Sequence, residues 1–572
     1  MIQARTTRNA LLCVAIYLAC LLIAWPVAEM GFDDDWSYIK TAQAFAQTGH
    51  LAYNGWAAPM LGWQTAWGAL FIKRSGFSFM AAKLSMLPVS IACIIVFYLT
   101  LVRFGIHGRN AILGTLTLAL SPLFLPLSVS FMTDVPGLLA ILVCLYLCKR
   151  AVDSASTRAA ILWLIFAAAA SLIGGTARQT GWLGALVMVP SCGWLLRRRG
   201  ALTAALALGM ASFAVVLLCL AWMHRQPYWI GNDLQDHIPL GSLMHGILTL
   251  YEVGGGLLSL AIVVVPVLAI WLWQLHAAGR YDKALCVGVV FFAALMQLAG
   301  KRPLPWVLHT MDLAFSPQRI ATLRPAAAES PALQLWIAFV AVVLLAASAT
   351  VCACALVQRL RRRALSSQGQ QIFWLCVPFT AAYAALLLPR ALHALIFDRY
   401  MLVLAPVAIL CLVHLYTQAV QPRLPNSSLA LLLLLAALSV AGTHDWFAWQ
   451  RARLAAIAEL TSAGIPRTAL YGGVEFDGWT QIEHGGFINN PWLTNPPGAY
   501  KPQPPVIKDD PCAHGFAPYV PSIHAEYTIV FEPKPCFEPS QFPSVSYISW
   551  IPPFRRTIYV QRMRVGQHSG QR

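Results

Sequence analysis

Residues 10–28, ALLCVAIYLACLLIAWPVA, are the first long apolar stretch of the chain, and residues 31–38, GFDDDWSY, follow almost at once. A stretch of this length can cross a bilayer as one helix. No small-residue cleavage site follows it, so we interpret it as a membrane span rather than a removable signal peptide. Carboxylates are costly near hydrocarbon, which makes the consecutive Asp33, Asp34 and Asp35 the first candidates for function.

The composition is that of a polytopic membrane protein. Of the 572 residues, 58% are hydrophobic and 11% are charged, whereas a soluble protein carries about 25% charged residues. We therefore expect an all-α membrane domain over residues 1–442 with about 13 transmembrane helices. The stretches that we interpret as spans are 10–28, 84–102, 111–129, 135–148, 159–174, 181–196, 201–222, 247–274, 284–300, 332–357, 371–389, 401–418 and 428–442.

The net charge of +17 could indicate a nucleic-acid partner, but its distribution indicates membrane topology instead. With the N-terminus inside, the inner segments hold seventeen basic and two acidic residues, whereas the outer loops are nearly balanced. This is the positive-inside pattern. We expect no nucleic-acid partner and a multi-pass protein, most simply of a bacterial inner membrane, with a cytoplasmic N-terminus and an extracytoplasmic (periplasmic) C-terminal domain.

The outer side carries the long loops. The first, residues 29–83, contains the amphipathic segments Ser37–Gln47 and Met60–Phe71, which predict helices that lie along the membrane surface. The loops 223–246 and 301–331 are also longer than a connection requires, and long loops concentrate function on one side. Polar and basic residues stud both, but each alone is best explained as a solvated loop position.

The polar tail, residues 443–572, predicts a small α/β domain. Its helix is expected at Trp446–Ala463, and its strands at residues 468–471, 527–531, 545–551 and 557–561. Twelve of the fourteen cysteines lie in apolar spans, so only Cys512 and Cys536 lie in the tail. Two cysteines alone in an exported domain indicate a disulfide. They lack the spacing of a metal site.

Two acidic positions are candidates for chemistry. In the triple aspartate, a carboxylate could act as general base on a hydroxyl or hold a divalent cation; alternatively, one acid caps the helix that begins near Trp36. Asp134 lies in the short loop SFMTDVP, residues 130–136, on the same side. It too is either a functional acid or a helix cap before Pro136.

Two arginines are candidates for binding an anion. Arg178 lies in the tight loop GGTARQTG, residues 174–181, and its planar fork suits phosphate, although contact with a lipid headgroup is the plainer alternative. Arg399 follows Asp398 in FDRY, residues 397–400, with Arg390 and His393 nearby. It either binds an anion or pairs with Asp398.

Together these motifs resemble the GT-C glycosyltransferases that use polyprenyl-phosphate sugars, the branch that holds protein O-mannosyltransferases and the lipid A aminoarabinose transferase. Asp34-Asp35-Trp36-Ser37-Tyr38 matches that family's acidic pair followed by a tyrosine and a helix, although the second acid is often glutamate there. Asp134 matches a short-loop Asp-x-Pro. Arg178 matches a cation that is commonly lysine, and Arg399-Tyr400, with Leu402 and Pro406, resembles an Arg-Tyr-leucine-proline stretch.

The resemblance implies a GT-C fold and a hexosyl- or pentosyltransferase of the cell envelope that inverts the sugar in one displacement. Asp34 would be the base. Asp35 or Asp134 would orient the acceptor, stabilise the oxocarbenium-like charge or, with Asp34, hold a divalent metal. Arg178 and Arg399 would neutralise the departing lipid phosphate. No cofactor is required; the partners are the bilayer, the polyprenyl-phosphate sugar donor and a lipid, glycan or protein acceptor.

Three alternatives stay open. A transporter or flippase of lipid-linked glycans predicts ionisable residues near mid-membrane and repeated halves, and we find no repeat. A ligase or polymerase of lipid-linked oligosaccharides can use basic residues instead of an aspartate base. A non-enzymatic assembly factor would use the tail for binding.

The expected topology is tested by a reporter fused after Arg572. Thirteen spans with the N-terminus inside place this residue outside the cytoplasm. A periplasm-dependent reporter such as alkaline phosphatase should therefore be active there, while a cytoplasm-dependent reporter at the same position should be silent. Cytoplasmic activity would refute the count of thirteen.

Overall fold

A computed structural model describes residues 2–231, 243–300, 332–362, 365–392, 396–504, 514–551 and 553–564. Several positions considered above lie outside these residues, namely Asp233, Asp236, His237, the basic loop 301–331, His393 and Cys512.

The described chain is mostly helical. Its α-helices are Ile2–Ala24, Asp35–Thr48, Gly62–Ser75, Phe79–Leu84, Met86–Arg103, Gly108–Ala119, Phe124–Leu127, Asp134–Val152, Thr157–Gly175, Val189–Leu195, Leu202–Met223, Leu243–Val263, Val265–Leu268, Arg280–Gly300, Ala332–Arg361, Ser367–Leu392, Ala405–Ala419, Asn426–Ser462 and Val474–Gly485. Short 3-10 segments lie at Gln179–Trp182, Arg197–Arg199, Ala269–Ala277, Asp398–Val403, Arg467–Ala469 and Ala517–Tyr519, and a π-helical segment lies at Gly184–Met188.

The chain is an integral membrane protein with many spans. Nine of the described helices are long and apolar enough to cross a membrane, or ten if the bent pair Thr249–Val263 and Val265–Ala277 is one broken span. Of the other predicted spans, 111–129 is divided after Ala119 and 181–196 consists of short segments. The helix at 401–418 is the shorter Ala405–Ala419. The total of about 13 stays a prediction.

Large apolar side chains cover the outside of the helical bundle. Leu22, Met210, Leu218 and Phe291 each leave 69–72% of their surface exposed. A contiguous exposed apolar surface of this kind is unfavourable in water, whereas lipid chains solvate it without penalty. The exposed side chains therefore mark the lipid-facing surface of the bundle.

The first loop contains two helices where the amphipathic segments predicted them, Asp35–Thr48 and Gly62–Ser75. The first of these ends at Gly49, which has φ +75°, a left-handed conformation that glycine adopts without steric cost. The second packs so closely on residue 131 that a Cβ at Gly68 would lie 2.5 Å from the Phe131 ring. These contacts fix the loop to the end of the segment that precedes Asp134.

The last membrane helix continues without a break into the C-terminal domain. The sequence suggested a span at 428–442 and a separate helix from Trp446, but the structure has one 37-residue helix, Asn426–Ser462. No proline interrupts these residues, and a single glycine, Gly442, does not stop a helix. The boundary assigned at residue 442 therefore lies inside a helix, where only the composition changes from apolar to polar.

The rest of the C-terminal domain is a small five-stranded sheet with one helix, as the α/β prediction expects. Its strands are β1 (Leu470–Tyr471), β2 (Tyr527–Val530), β3 (Phe537–Pro539), β4 (Val545–Ile548) and β5 (Arg555–Met563). β1 pairs parallel with β2, and the long β5 pairs antiparallel with β2, β3 and β4. The sequence missed the helix Val474–Gly485 and, among the strands, β3, which is three residues long and ends in proline.

The C-terminal domain packs directly on the first loop. Trp36 is fully buried, and a Cβ at Gly478 would lie 2.5 Å from its ring, so only glycine admits this approach of the two parts. Ile488 donates its backbone N–H to the Asn54 carbonyl at 2.9 Å. The Gln450 side-chain amide donates to the Gly31 carbonyl at 3.3 Å. Loop and domain therefore form one side of the molecule.

Candidate functional site

The three consecutive aspartates occupy three different environments because the backbone turns sharply there. Asp33 has φ +55°, a left-handed conformation that Asp tolerates better than most residues. Asp34 holds the N-cap position of the helix that begins at Asp35, but its side chain makes no capping hydrogen bond. Of the three acids, Asp34 therefore occupies the cap position that the sequence left open, without a side-chain cap. The turn directs the carboxylates of Asp33 and Asp34 to Arg399 and that of Asp35 into the protein.

Asp35 joins the first loop to the loop that carries Asp134. Its carboxylate accepts the backbone N–H of Phe32 at 2.6 Å and that of Phe131 at 2.8 Å. Burial raises the pKa of Asp35 from 3.8 to about 7, against the opposing effect of the cation of Lys83. Because Asp35 is 0% exposed, this geometry favours a positioning role over direct contact with an acceptor or a metal.

Lys83 lies beneath the turn that carries the three aspartates. It is buried, and its ammonium donates hydrogen bonds to the carbonyls of Ala28, at 3.2 Å, and Met30. A buried ammonium needs such partners, because desolvation of an unpaired charge is expensive. The backbone that leads into the aspartates is therefore fixed from below as well as by Asp35.

Asp34 is the acid of the turn that substrate can reach. Its side chain is 23% exposed, compared with 9% for Asp33. The buried guanidinium of Arg399 forms ion pairs with both, at 3.1 Å to Asp34 Oδ2. The sequence left open a pair between Arg399 and Asp398; the ion pairs of Arg399 are instead with acids more than 360 residues earlier. A neighbouring cation favours the ionised form of a carboxylate.

Trp56 holds the other oxygen of the Asp34 carboxylate. Its indole N–H donates to Asp34 Oδ1 at 2.8 Å. The Trp56 ring in turn meets Phe516 and Tyr519 of the C-terminal domain edge to face, with centroids 5.4 and 5.6 Å apart. The C-terminal domain thus contacts the candidate base, Asp34, through the ring of Trp56. The sequence did not reveal this role of Trp56.

Asp134 and Arg178 form a second pair. Arg178 Nη1 lies 3.0 Å from Asp134 Oδ1 and donates a hydrogen bond to Thr133 Oγ1, also at 3.0 Å. The two charges attract, but both buried oxygens of Asp134 lack a well-aligned hydrogen-bond donor among the described residues. Asp134 is itself 1% exposed, so this unfilled acceptor capacity lies inside the protein.

Tyr400 connects the two groups of charges. It follows Arg399 in the chain, and the guanidinium carbons of Arg178 and Arg390 lie 5.5 and 5.3 Å from its ring centroid. Arg390 also donates to the Tyr400 hydroxyl at 3.2 Å. Two cations beside one aromatic ring form a surface suited to an anion. Arg390 was noticed in the sequence only as a neighbour of Arg399.

The structure thus brings together acids and arginines from four separate parts of the chain. The pKa of the Tyr38 hydroxyl is raised well above its ordinary value by burial and by the nearby Asp34, with opposing effects from Arg399 and Arg178. This hydroxyl therefore stays protonated and lies within the same electrostatic field. Of the predicted acids, Asp34 is partly exposed, whereas Asp35 and Asp134 are buried.

The predicted carboxylates do not form a shared metal-ligand set. The described residues include no group of three or more His, Cys, Asp or Glu side chains able to hold a metal ion. Asp35 is occupied by two backbone N–H groups, and Asp34 by Arg399 and Trp56. These residues as arranged do not fit a divalent cation.

The predicted disulfide is described at one end. Cys536 is disulfide-bonded, whereas Cys512 lies outside the described residues, so the pairing of Cys512 with Cys536 stays a prediction. The twelve cysteines of the apolar spans are free thiols.

No protein-family model and no curated protein matches the sequence. Seven chains of solved structures are similar to this chain. ArnT from Cupriavidus metallidurans in the apo state matches at 15% identity and a TM-score of 0.38, over 82% of this chain and 83% of that chain. The same protein bound to undecaprenyl phosphate matches at 15% identity and a TM-score of 0.34, over 71% and 77%.

Arabinosyltransferase EmbB from Mycobacterium smegmatis also matches, at 15% identity and a TM-score of 0.31, over 75% of this chain and 40% of that chain.

The buried state of Asp35 predicts a pH-dependent stability. Because its pKa rises from 3.8 to about 7 on folding, the folded protein binds this proton more tightly, and stability falls as the pH rises through that window. Asp35→Asn removes the titratable carboxyl group. Because the asparagine side chain has a single oxygen, one of the two backbone N–H groups that Asp35 accepts is left without its acceptor. The variant should be the less stable protein at pH 4.5, and the difference in the free energy of unfolding should change in its favour by about 3 kcal/mol by pH 7.5.

Thermal unfolding of both purified proteins in the same detergent, followed between pH 4.5 and 8, measures this difference. Parallel curves across the whole range would contradict the buried, protonating carboxylate.

Proposed function

We propose that this chain is a membrane glycosyltransferase that moves a hexosyl or pentosyl unit from a polyprenyl-phosphate donor to a lipid, glycan or protein acceptor outside the cytoplasm. One observation carries the proposal. A partly exposed carboxylate, Asp34, is fixed at both oxygens, and the arginines Arg178 and Arg390 gather beside Tyr400 in the same cluster. A base for a hydroxyl and a site for a phosphate are the two groups that this transfer needs.

The base acts on the acceptor. In this proposal Asp34 accepts the proton of the acceptor hydroxyl as the oxygen attacks the anomeric carbon of the donor. Arg399 and Trp56 hold the carboxylate in one orientation, so that little reorganisation is needed when the reaction occurs. Arg399 is thus assigned to the base and not, as the sequence suggested, to the donor phosphate.

The leaving group departs on the other side of the anomeric carbon. As the new C–O bond forms, the bond between the anomeric carbon and the phosphate oxygen breaks, and the polyprenyl phosphate leaves with the bonding electrons. Arg178 and Arg390 stabilise the charge that develops there. A single displacement inverts the anomeric configuration and requires no covalent enzyme intermediate. Asp134, with unfilled acceptor capacity, orients the acceptor or stabilises the oxocarbenium-like charge.

The membrane location suits such a donor. A polyprenyl chain is apolar and reaches an enzyme from within the bilayer, while an enzyme outside the cytoplasm has no supply of nucleotide sugars. We infer a bacterial inner membrane, with the N-terminus in the cytoplasm and the site and C-terminal domain in the periplasm. The excess of basic residues in the predicted inner loops supports this orientation.

The role of Asp34 is tested by Asp34→Asn beside Asp33→Asn. Both variants remove one carboxylate from Arg399, and asparagine tolerates the left-handed conformation at position 33. Asp34→Asn should lower kcat by at least about 100-fold, because a general base is lost; Asp33→Asn should retain far more activity. The measurement is transfer from a radiolabelled polyprenyl-phosphate sugar by proteins that express equally.

Equal losses in the two variants would assign the effect to the Arg399 ion pair rather than to a base. Full activity of Asp34→Asn would reject the base and favour a ligase or polymerase that relies on basic residues. A transporter predicts no transfer by the unmodified protein.

The phosphate role is tested by Arg178→Ala, with Arg74→Ala as the matched control. Arg74 is an exposed arginine at the end of a first-loop helix. Losing one charge-assisted contact to the donor should lower kcat/KM for the donor by about 10- to 100-fold. Arg74→Ala should leave it unchanged. If Arg178→Ala kept both the donor KM and kcat, the phosphate would bind elsewhere.

A further inference from the structure

The turn between β4 and β5 exposes large apolar side chains that nothing in the described protein covers. Ile548 is 67% exposed, Phe554 is 62% exposed and Trp550 is 40% exposed. Arg555, next to Phe554, is exposed as well. We refer to Ile548, Trp550 and Phe554 as the apolar tip. An exposed apolar tip of this kind indicates a partner.

The apolar tip is fixed to the last membrane helix. The buried Asp445 carboxylate accepts the Ser549 hydroxyl at 2.6 Å, the Trp550 backbone N–H at 2.7 Å and the Ile551 backbone N–H at 2.8 Å. The ring of His444 stacks on that of Trp550, with centroids 3.8 Å apart. The height of the tip above the bilayer is therefore set by residues 444 and 445.

The apolar tip lies at the level of the membrane edge. The apolar part of the helix Asn426–Ser462 ends at Gly442, and a helix rises 1.5 Å per residue, so Asp445 lies about 5 Å beyond it. The end of the first membrane helix lies at a similar level, since Arg451 donates to the carbonyls of Trp25 and Val27, each at 3.1 Å. Trp25 is itself 56% exposed, as interfacial aromatics are.

We propose that the apolar tip inserts into the lipid headgroup region on the side of the C-terminal domain and anchors that domain to the bilayer. Tryptophan favours this depth, and Arg555 lies where it can meet lipid phosphates. The tip is too small for a stable protein partner, because three half-exposed side chains present a few hundred Å² against about 800 Å² per partner in specific complexes. The inference does not depend on the reaction proposed above.

The experiment places an environment-sensitive fluorophore at Phe554→Cys in the full-length protein reconstituted in nanodiscs. The matched control is Tyr559→Cys, an exposed position on the same strand, about 16 Å farther from the tip. The unsubstituted protein, labelled in parallel, gives the background from native thiols. Lipids that carry a nitroxide near the headgroup should quench the label at 554 about twofold or more relative to the label at 559.

A blue shift at position 554, absent at 559, should accompany the quenching. Equal quenching at the two positions would overturn the proposal. So would a blue shift at 554 that needs high protein density in the nanodisc and occurs without lipid quenching, because it would identify a second copy of the chain as the partner.

Discussion

The buried guanidinium of Arg399 between Asp33 and Asp34 holds the two halves of the site together. One charge belongs to the turn after the first membrane helix, and the other to the segment before Ala405–Ala419, so the pair closes a loop of more than 360 residues. Taking these charges out of water is expensive, and losing one partner of a buried pair costs about 3–5 kcal/mol. A contact of that kind does not add stability efficiently. Its value is that Asp34 can adopt few other positions.

Around this contact the protein separates charges by task. Asp35 and Lys83 lie beneath the turn and act on backbone groups, whereas Asp34 opens toward solvent. Arg178 and Arg390 meet at Tyr400, the residue that follows Arg399. Arg399 and Tyr400 are adjacent residues of one short 3-10 segment, Asp398–Val403. This segment therefore contacts two acids through Arg399 and two arginines through Tyr400. Small shifts of that segment would move the proposed base and the proposed phosphate site together.

Much of this arrangement could be predicted from composition, because hydropathy and loop charge place Asp34, Asp134, Arg178 and Arg399 on one side of a bilayer. Their pairing could not, since it depends on contacts between residues far apart in sequence. The two carboxylates Asp34 and Asp35 are neighbours in the chain, yet one is accessible and the other is buried because Phe131 supplies a backbone N–H. The composition also suggested a domain boundary at residue 442, where apolar residues are followed by polar ones. The helix nevertheless continues through this position.

The unbroken helix Asn426–Ser462 has a consequence for how the two parts of the protein can be separated. A chain cut at residue 443 would begin in the middle of a helix and expose Trp446 and Phe447, which are buried against Phe32. Met30 would also leave the small apolar core that it shares with Ile457 and Leu460. The C-terminal part is therefore an extension of the membrane bundle into water, without a hinge, and its folding is tied to the bundle that carries it.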